Sequence, residues 1–269
     1  MKLLCFQVLA LTAVCTLVKA QLSPSVNNST GELTDSELKF NNRTAYLFLD
    51  YEYGIVFGVQ NKTAQNEFLV ASEKWYNATH ALKANGRFPM IAYSQVQFTP
   101  GYPEFPPNKA NKAFHPYVSA NELLINSTQR NILSNVAPMD GDFVVQKRRF
   151  DAMFESTLPL LLQANLIDTV VLSGAYTSGV ILATMRACSD MDYQIYIIRE
   201  NVIDPSYSLS QTLLDVFFPQ QASVISLETA LKALPKSSHE SKKSSLAYTE
   251  HVRLGILISF SIMVLIVVI

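Results

Sequence analysis

The sequence predicts an α/β fold: three layers, α/β/α, around a central, mostly parallel six-stranded sheet. Three observations predict it. Short apolar runs recur along the chain, as expected of strands buried on both faces. They alternate with segments of helical spacing, the pattern of right-handed crossovers between parallel strands. Polar and charged residues follow several runs at once, where open parallel sheets bind ligands.

The elements follow in order. Residues 45–49 are a continuous apolar run ending at Asp50. Residues 63–85 have helical spacing and end at Asn85-Gly86, a helix stop. Strands are expected at 89–94 and 143–145, separated by a loop at 100–107 with four prolines and by a stretch at 119–133 without a clear period. Residues 151–165 place Leu158, Leu161 and Leu162 at helical spacing. Residues 169–173 form a strand, 174–177 a turn and 178–190 a helix. A strand at 194–199, a helix at 206–218, a strand at 222–225 and a helix at 227–234 complete the domain.

The ends carry address information. Lys2, an apolar stretch over residues 3–18 and Val18-Lys19-Ala20 match a cleavable signal peptide, so residues 1–20 are expected to be removed. Residues 21–43 are polar and read as a flexible arm ahead of a domain at 44–234. Glycosylation sequons lie at Asn27, Asn28, Asn42, Asn61, Asn77 and Asn126, each expected on a solvent-facing segment. A polar spacer at 235–253 precedes an apolar tail at 254–269 whose only polar residues are two serines. That combination fits a GPI-attachment signal, with Ser245 the preferred site and Ser244 and Ser241 close competitors. A single membrane span is the alternative. The expected location is the extracellular face of the cell, through the secretory pathway.

Composition bounds the partners. Loss of Lys2 and Lys19 with the leader brings the net charge to about −3, and Lys147-Arg148-Arg149 is the one basic cluster. Nothing there favours nucleic acid. Of three cysteines only Cys188 lies outside the leader, so no internal disulfide is expected and stability rests on the core. The histidines, His80, His115, His239 and His251, are scattered, which gives no support for a metal, and no phosphate-cradling glycine loop is present. No cofactor is expected. A homo-oligomer remains open.

Three strand-end segments carry a family resemblance. Leu47-Phe-Leu-Asp50-Tyr-Glu52-Tyr-Gly54 resembles the L-x-x-D-x-Q-x-G opening of the isochorismatase-like (cysteine hydrolase) family. Lys147-Arg-Arg149-Phe-Asp151-Ala-Met-Phe154 resembles its K-x-R-Y-S-A-F segment, and Ile167-Asp-Thr-Val-Val-Leu-Ser-Gly174-Ala-Tyr176-Thr177 its I-D-T-L-V-L-x-G-x-x-T strand and turn. Pro100-Gly-Tyr102-Pro-Glu104 is similar to a P-G-Y-P-E loop found in part of the family. The resemblance runs from about residue 44 to 230 and implies the fold. In the amidohydrolases of the family an Asp, a Lys and a Cys cooperate, the thiolate attacking a carbonyl. Asp50 and Lys147 match two of them. The resemblance puts the third at Val180, which has no nucleophile, and Cys188 lies two helical turns beyond it. Cys188 itself reads as a small buried hydrophobe. The chain also departs from the family at Glu52 (usually Gln), at Asp151 (Ser) and at Thr99 (often Arg), and its Tyr93-Ser-Gln95 lacks the Asp-x-His of the metal-using nicotinamidases.

Two functions fit that departure. The isochorismatases proper also lack the cysteine, and Gly174-Ala-Tyr176-Thr177 is similar to their G-V-Y-A turn. The implied reaction is hydrolysis of the vinyl ether of a small carboxylic acid. Asp50 serves as general acid, Lys147 with help from Arg149 holds a substrate carboxylate, and Glu52, Tyr102, Tyr176, Thr177 and Val180 contact the substrate. Glu52 is either a partner that raises the pKa of Asp50 or a solvated loop acid. The alternative is a catalytically inactive cell-surface binder that keeps the family pocket.

Overall fold

A computed structural model describes residues 38–84, 89–106 and 111–235. The leader, Asn27, Asn28, the competing serines, the attachment site Ser245 and the apolar tail lie outside the described residues. So does most of the arm and of the spacer, and so does the Asn85-Gly86 helix stop. Among the described residues no helix is long and apolar enough to cross a membrane. Asn42, Asn61, Asn77 and Asn126 are all exposed.

Six strands form one sheet: β1 (Thr44–Leu49), β2 (Met90–Val96), β3 (Phe143–Lys147), β4 (Thr169–Ala175), β5 (Gln194–Ile203) and β6 (Ser223–Ile225). Their order is β3-β2-β1-β4-β5-β6, and every pairing is parallel. The helices are α1 (Tyr53–Val56), α2 (Lys62–Ala84), α3 (His115–Ala120), α4 (Leu158–Ala164), α5 (Leu182–Asp190), α6 (Tyr207–Thr212) and α7 (Leu227–Ala233).

Side-chain alternation along β1 creates the two flanking layers. Tyr46 and Phe48 point to one face, where Phe68, Ala71, Trp75 and Leu82 of α2 meet them together with Leu227 and Ala230 of α7. Those α2 positions recur at intervals of three, four and seven residues, the apolar stripe of a core-facing helix. Tyr46 meets Trp75 edge-to-face at 5.3 Å, and Phe48 stacks on Tyr93 of β2 at 4.9 Å. Ala45, Leu47 and Leu49 point to the other face, against Leu158 and Leu162 of α4 and Met185 and Cys188 of α5.

The structure corrects several expected boundaries. The helix expected at 151–165 is only α4, because residues 151–157 make turns. The Asp151 carboxylate accepts the Met153 N–H, and Glu155 takes a left-handed φ of 50°. The helix expected from residue 178 begins with a wide π-type turn, Thr177–Ile181. The helix expected at 206–218 is α6 followed by a second π-type turn, Leu213–Phe217. β5 runs past Arg199 to Ile203, because a bulge between Leu172 and Gly174 resumes pairing at Val202.

Gly174 lies inside β4 and not in a turn. It pairs with Leu49, at the point where strand order reverses. Its φ is +144°, and a Cβ placed there would meet the Leu49 carbonyl oxygen at 1.9 Å. Only glycine lets β1 and β4 come this close at their carboxyl ends. Gly174→Ala is therefore expected to destabilise the domain by at least about 3 kcal/mol, read as a lowered urea midpoint. An unchanged midpoint would refute the close-approach argument.

Candidate active site

The reversal of strand order between β1 and β4 opens a crevice beyond the strand ends. The chain leaves β1 through Asp50, whose left-handed φ of 56° turns its carboxylate into the crevice. The Asp50 N–H donates to the Ser94 carbonyl at 3.2 Å, and the Ser94 hydroxyl donates to Asp50 Oδ1. Lys147, the last residue of β3, places Nζ 2.7 Å from Asp50 Oδ2. Both side chains are buried, so this is an interior ion pair.

The lysine is fully occupied. Besides Asp50, Nζ donates to the carbonyls of Arg149 at 2.8 Å and Phe150 at 3.0 Å. An ammonium has three N–H groups, and all three are satisfied by the protein. The expectation that Lys147 grips a substrate carboxylate is thereby corrected: it anchors Asp50 and the turn after β3. Burial raises the Asp50 pKa, against the opposing pull of Lys147 and Ser94.

Asp50, Lys147, Arg149, Tyr176 and Val180 line one small cavity of about 20 Å³, partly open to solvent. Phe98, Phe114, Tyr117 and Phe150 supply aromatic walls, with Phe114 and Phe150 stacked at 4.6 Å. Arg149 lies over the rings of Phe105 and Phe114, its Cζ 5.0 and 5.6 Å from their centroids. It donates to the carbonyls of Arg148 and Glu104. These two bonds use two of its five N–H groups, so Arg149 keeps donors for an anionic ligand.

Val180 is buried in the cavity lining, at the position that the resemblance assigns to a nucleophile. Cys188 is buried in the core behind it, its thiol pushed up to about 12 by burial and, secondarily, by Asp151. It is inert as a thiolate at neutral pH. The Tyr176 hydroxyl donates to the Ile55 carbonyl at 2.8 Å. Three residues expected in the pocket, Glu52, Thr177 and Tyr102, do not line it. The Thr177 hydroxyl shares a hydrogen bond with Ser210 of α6 at 2.9 Å, and the Tyr102 hydroxyl donates to the Glu122 carbonyl at 2.7 Å behind the aromatic wall.

Glu52 is fully buried and is not a solvated loop acid. Its Oε1 accepts the Val96 N–H, and its Oε2 meets no hydrogen-bond partner. Burial first, and then the negative charge of Asp50, hold its carboxyl well above the ordinary range. Tyr51, between the two acids, faces away and stacks on Phe68 of α2 at 5.3 Å.

Sequence reasoning missed Ser94 and most of the aromatic wall. Phe150 had a signal, since it occupies the Tyr position of the K-x-R-Y segment. Phe98, Phe114 and Tyr117 had none: the first two lie in irregular chain between β2 and β3, and Tyr117 lies in α3, which is too short to show an apolar period. Among the described residues, no group of three His, Cys, Asp or Glu side chains is placed to hold a metal ion.

Comparison with known proteins agrees with this fold. A model of the isochorismatase domain matches residues 44–229. A maleamate amidohydrolase of Pseudomonas putida is 39% identical over 69 residues, covering 26% of this chain and 32% of the relative. An N-carbamoylsarcosine amidase of an Arthrobacter species is 32% identical over 104 residues, 38% of this chain and 39% of the relative. The phenazine biosynthesis protein PhzD of Pseudomonas fluorescens is 32% identical over 78 residues, 29% of this chain and 37% of the relative. The aligned stretches thus span well under half of these relatives. An isochorismatase family protein from Burkholderia thailandensis superposes with a TM-score of 0.61 at 18% identity, over 73% of this chain and 97% of the other. A cysteine hydrolase from Pseudomonas syringae gives 0.62 at 16% identity, over 72% and 93%. At these identities the superpositions speak to fold alone, and the domain match over most of the chain establishes that it belongs to the isochorismatase family.

Proposed function

We propose that this chain is an isochorismatase-type hydrolase that cleaves the vinyl ether of a small carboxylic acid, with Asp50 as general acid. One observation carries the reading: the Asp50 carboxyl lines a cavity whose nucleophile position is the isopropyl group of Val180. Covalent catalysis at that position has no atom to use. Acid catalysis needs only a proton donor, an anchor for the substrate and water.

The steps follow from the cavity lining. A substrate carboxylate binds the free N–H groups of Arg149, and its ring lies against Phe114 and Phe150. Asp50 gives its proton to the terminal methylene carbon, where a C–H bond forms as the C=C electrons move. The resulting oxocarbenium ion adds water and loses a proton. Collapse of the hemiketal releases pyruvate and the ring alcohol. Aromatic walls exclude bulk water and leave Asp50 the acid nearest the ether. Burial supports this role, because it raises the Asp50 pKa toward the working range of a general acid.

Purified protein is expected to release pyruvate from isochorismate and no ammonia from maleamate, the substrate in one relative's name. Asp50→Asn should lower kcat/KM by roughly 10²- to 10⁴-fold while retaining the fold. Folded wild type that releases no pyruvate defeats the hydrolase reading. A thermal shift with an aromatic carboxylic acid and no product would instead favour the non-catalytic binder.

The position of Val180 makes a separate prediction. Val180→Cys introduces a thiol into the cavity beside a carboxylate able to take its proton. Iodoacetamide should label that cysteine in native protein under conditions that leave Cys188 unmodified, as read by peptide mass spectrometry. Equal labelling of both, or of neither, would place residue 180 outside the reactive cavity.

A further inference from the structure

The family resemblance expects Gln at position 52, whereas this chain has Glu, fully buried beside the interior ion pair. Its surroundings fix its charge state. Lys147 is the nearest cation and has no donor left for it, since its three N–H groups go to Asp50, Arg149 and Phe150. Arg130 lies two residues before Ile132, with which Glu52 forms a bridge. Its guanidinium is turned to Gln95 at 2.9 Å and to the Ile125 carbonyl at 3.1 Å. Tyr117 of α3 also faces the two acids and is neutral because burial raises its pKa, while Arg149 lines the same cavity as Asp50 and Asp151 interacts with Lys147. Glu52 is therefore met by neutral backbone N–H groups, from Val96 and from its own main chain, and by the charge of Lys147 at a distance, while one oxygen has no hydrogen-bond partner. A buried carboxylate in that setting costs several kcal/mol unless it takes up a proton.

We propose that Glu52 is a proton-holding positioning residue: Asp50, Glu52 and Lys147 form one buried cluster of two carboxyls and one ammonium that retains a single proton between the acids. This rests on the acid-catalysed reading for its purpose, but not for its existence. Lys147 and Ser94 favour the ionised form of Asp50 and so oppose the proton that burial favours. The retained proton resolves that conflict. It leaves the Glu52 carboxyl as it binds the Asp50 carboxyl, the negative charge moves the opposite way, and the cluster stays neutral. The Glu side chain thus gives this chain a store for the proton that Asp50 spends, which a Gln amide does not provide.

The test is carboxyl ¹³C NMR on the purified protein, labelled at Glu and Asp side chains and titrated with pH. Wild type should show one carboxyl that stays protonated at neutral pH. Glu52→Gln, which keeps the bond from the Val96 N–H, should remove that signal. Asp50→Asn removes the neighbouring negative charge, so Glu52 should lose its proton at a pH lower by about one unit or more, a tenfold fall in proton affinity. A wild type with every carboxyl ionised at neutral pH overturns the proposal. So does a Glu52 titration that Asp50→Asn leaves unmoved, because the two acids would then be independent. Pyruvate release separates the two readings. An inactive protein with the shared proton intact contradicts only the catalytic role, whereas an active enzyme whose pH–rate profile is unchanged by Glu52→Gln contradicts only the proton store.

Discussion

The buried pair of Asp50 and Lys147 constrains everything around it. Two charges without solvent survive only when geometry and further hydrogen bonds offset their desolvation. The sheet supplies both. Strand order β3-β2-β1 brings Lys147, Ser94 and Asp50 together from three neighbouring strand ends, with Ser94 in the middle bonding to Asp50. The remaining ammonium protons bind the turn after β3, so one side chain fixes both the acid and the segment that carries Arg149 and Phe150 into the cavity.

Full occupation of Lys147 redistributes the roles in the site. In the proposed reaction, recognition of an anion falls to Arg149, which lies over two rings, bonds two backbone acceptors and still retains donors. Reactivity falls to carboxyls, because Val180 offers none and Cys188 is sealed in the core as a neutral thiol. Glu52 brings a second acid to this apolar setting. A cavity lined by one acid, with a second acid buried beside that acid, one spent base and aromatic walls, supports the proposed proton delivery to a neutral carbon over attack on a carbonyl.

The sheet was legible in the sequence because its central strands are buried on both faces and read as unbroken apolar runs, as at 45–49 and 169–173. Asp50, Lys147 and Val180 were legible because they sit at strand ends or one turn into the following helix, where position alone marks a ligand site. The occupation of Lys147 was not, since two of its acceptors are backbone carbonyls of the irregular chain just after β3, which no side-chain pattern marks. Thr177 and Tyr102 belong to the resembling motifs, yet tertiary contacts turn their hydroxyls to Ser210 and Glu122. The outer wall of Phe98, Phe114 and Tyr117 comes from irregular chain and the six-residue α3, whose packing no period encodes.

The central claim is that Asp50 and Lys147 stabilise each other in the interior as a coupled pair. A double-mutant cycle in urea unfolding tests it most directly. Asp50→Asn and Lys147→Met should each cost about 3–5 kcal/mol, since each strands a buried partner. The double variant should lose less than the sum by about 2 kcal/mol or more. Additive losses would mean that the two charges do not depend on each other, and would contradict this account of the site.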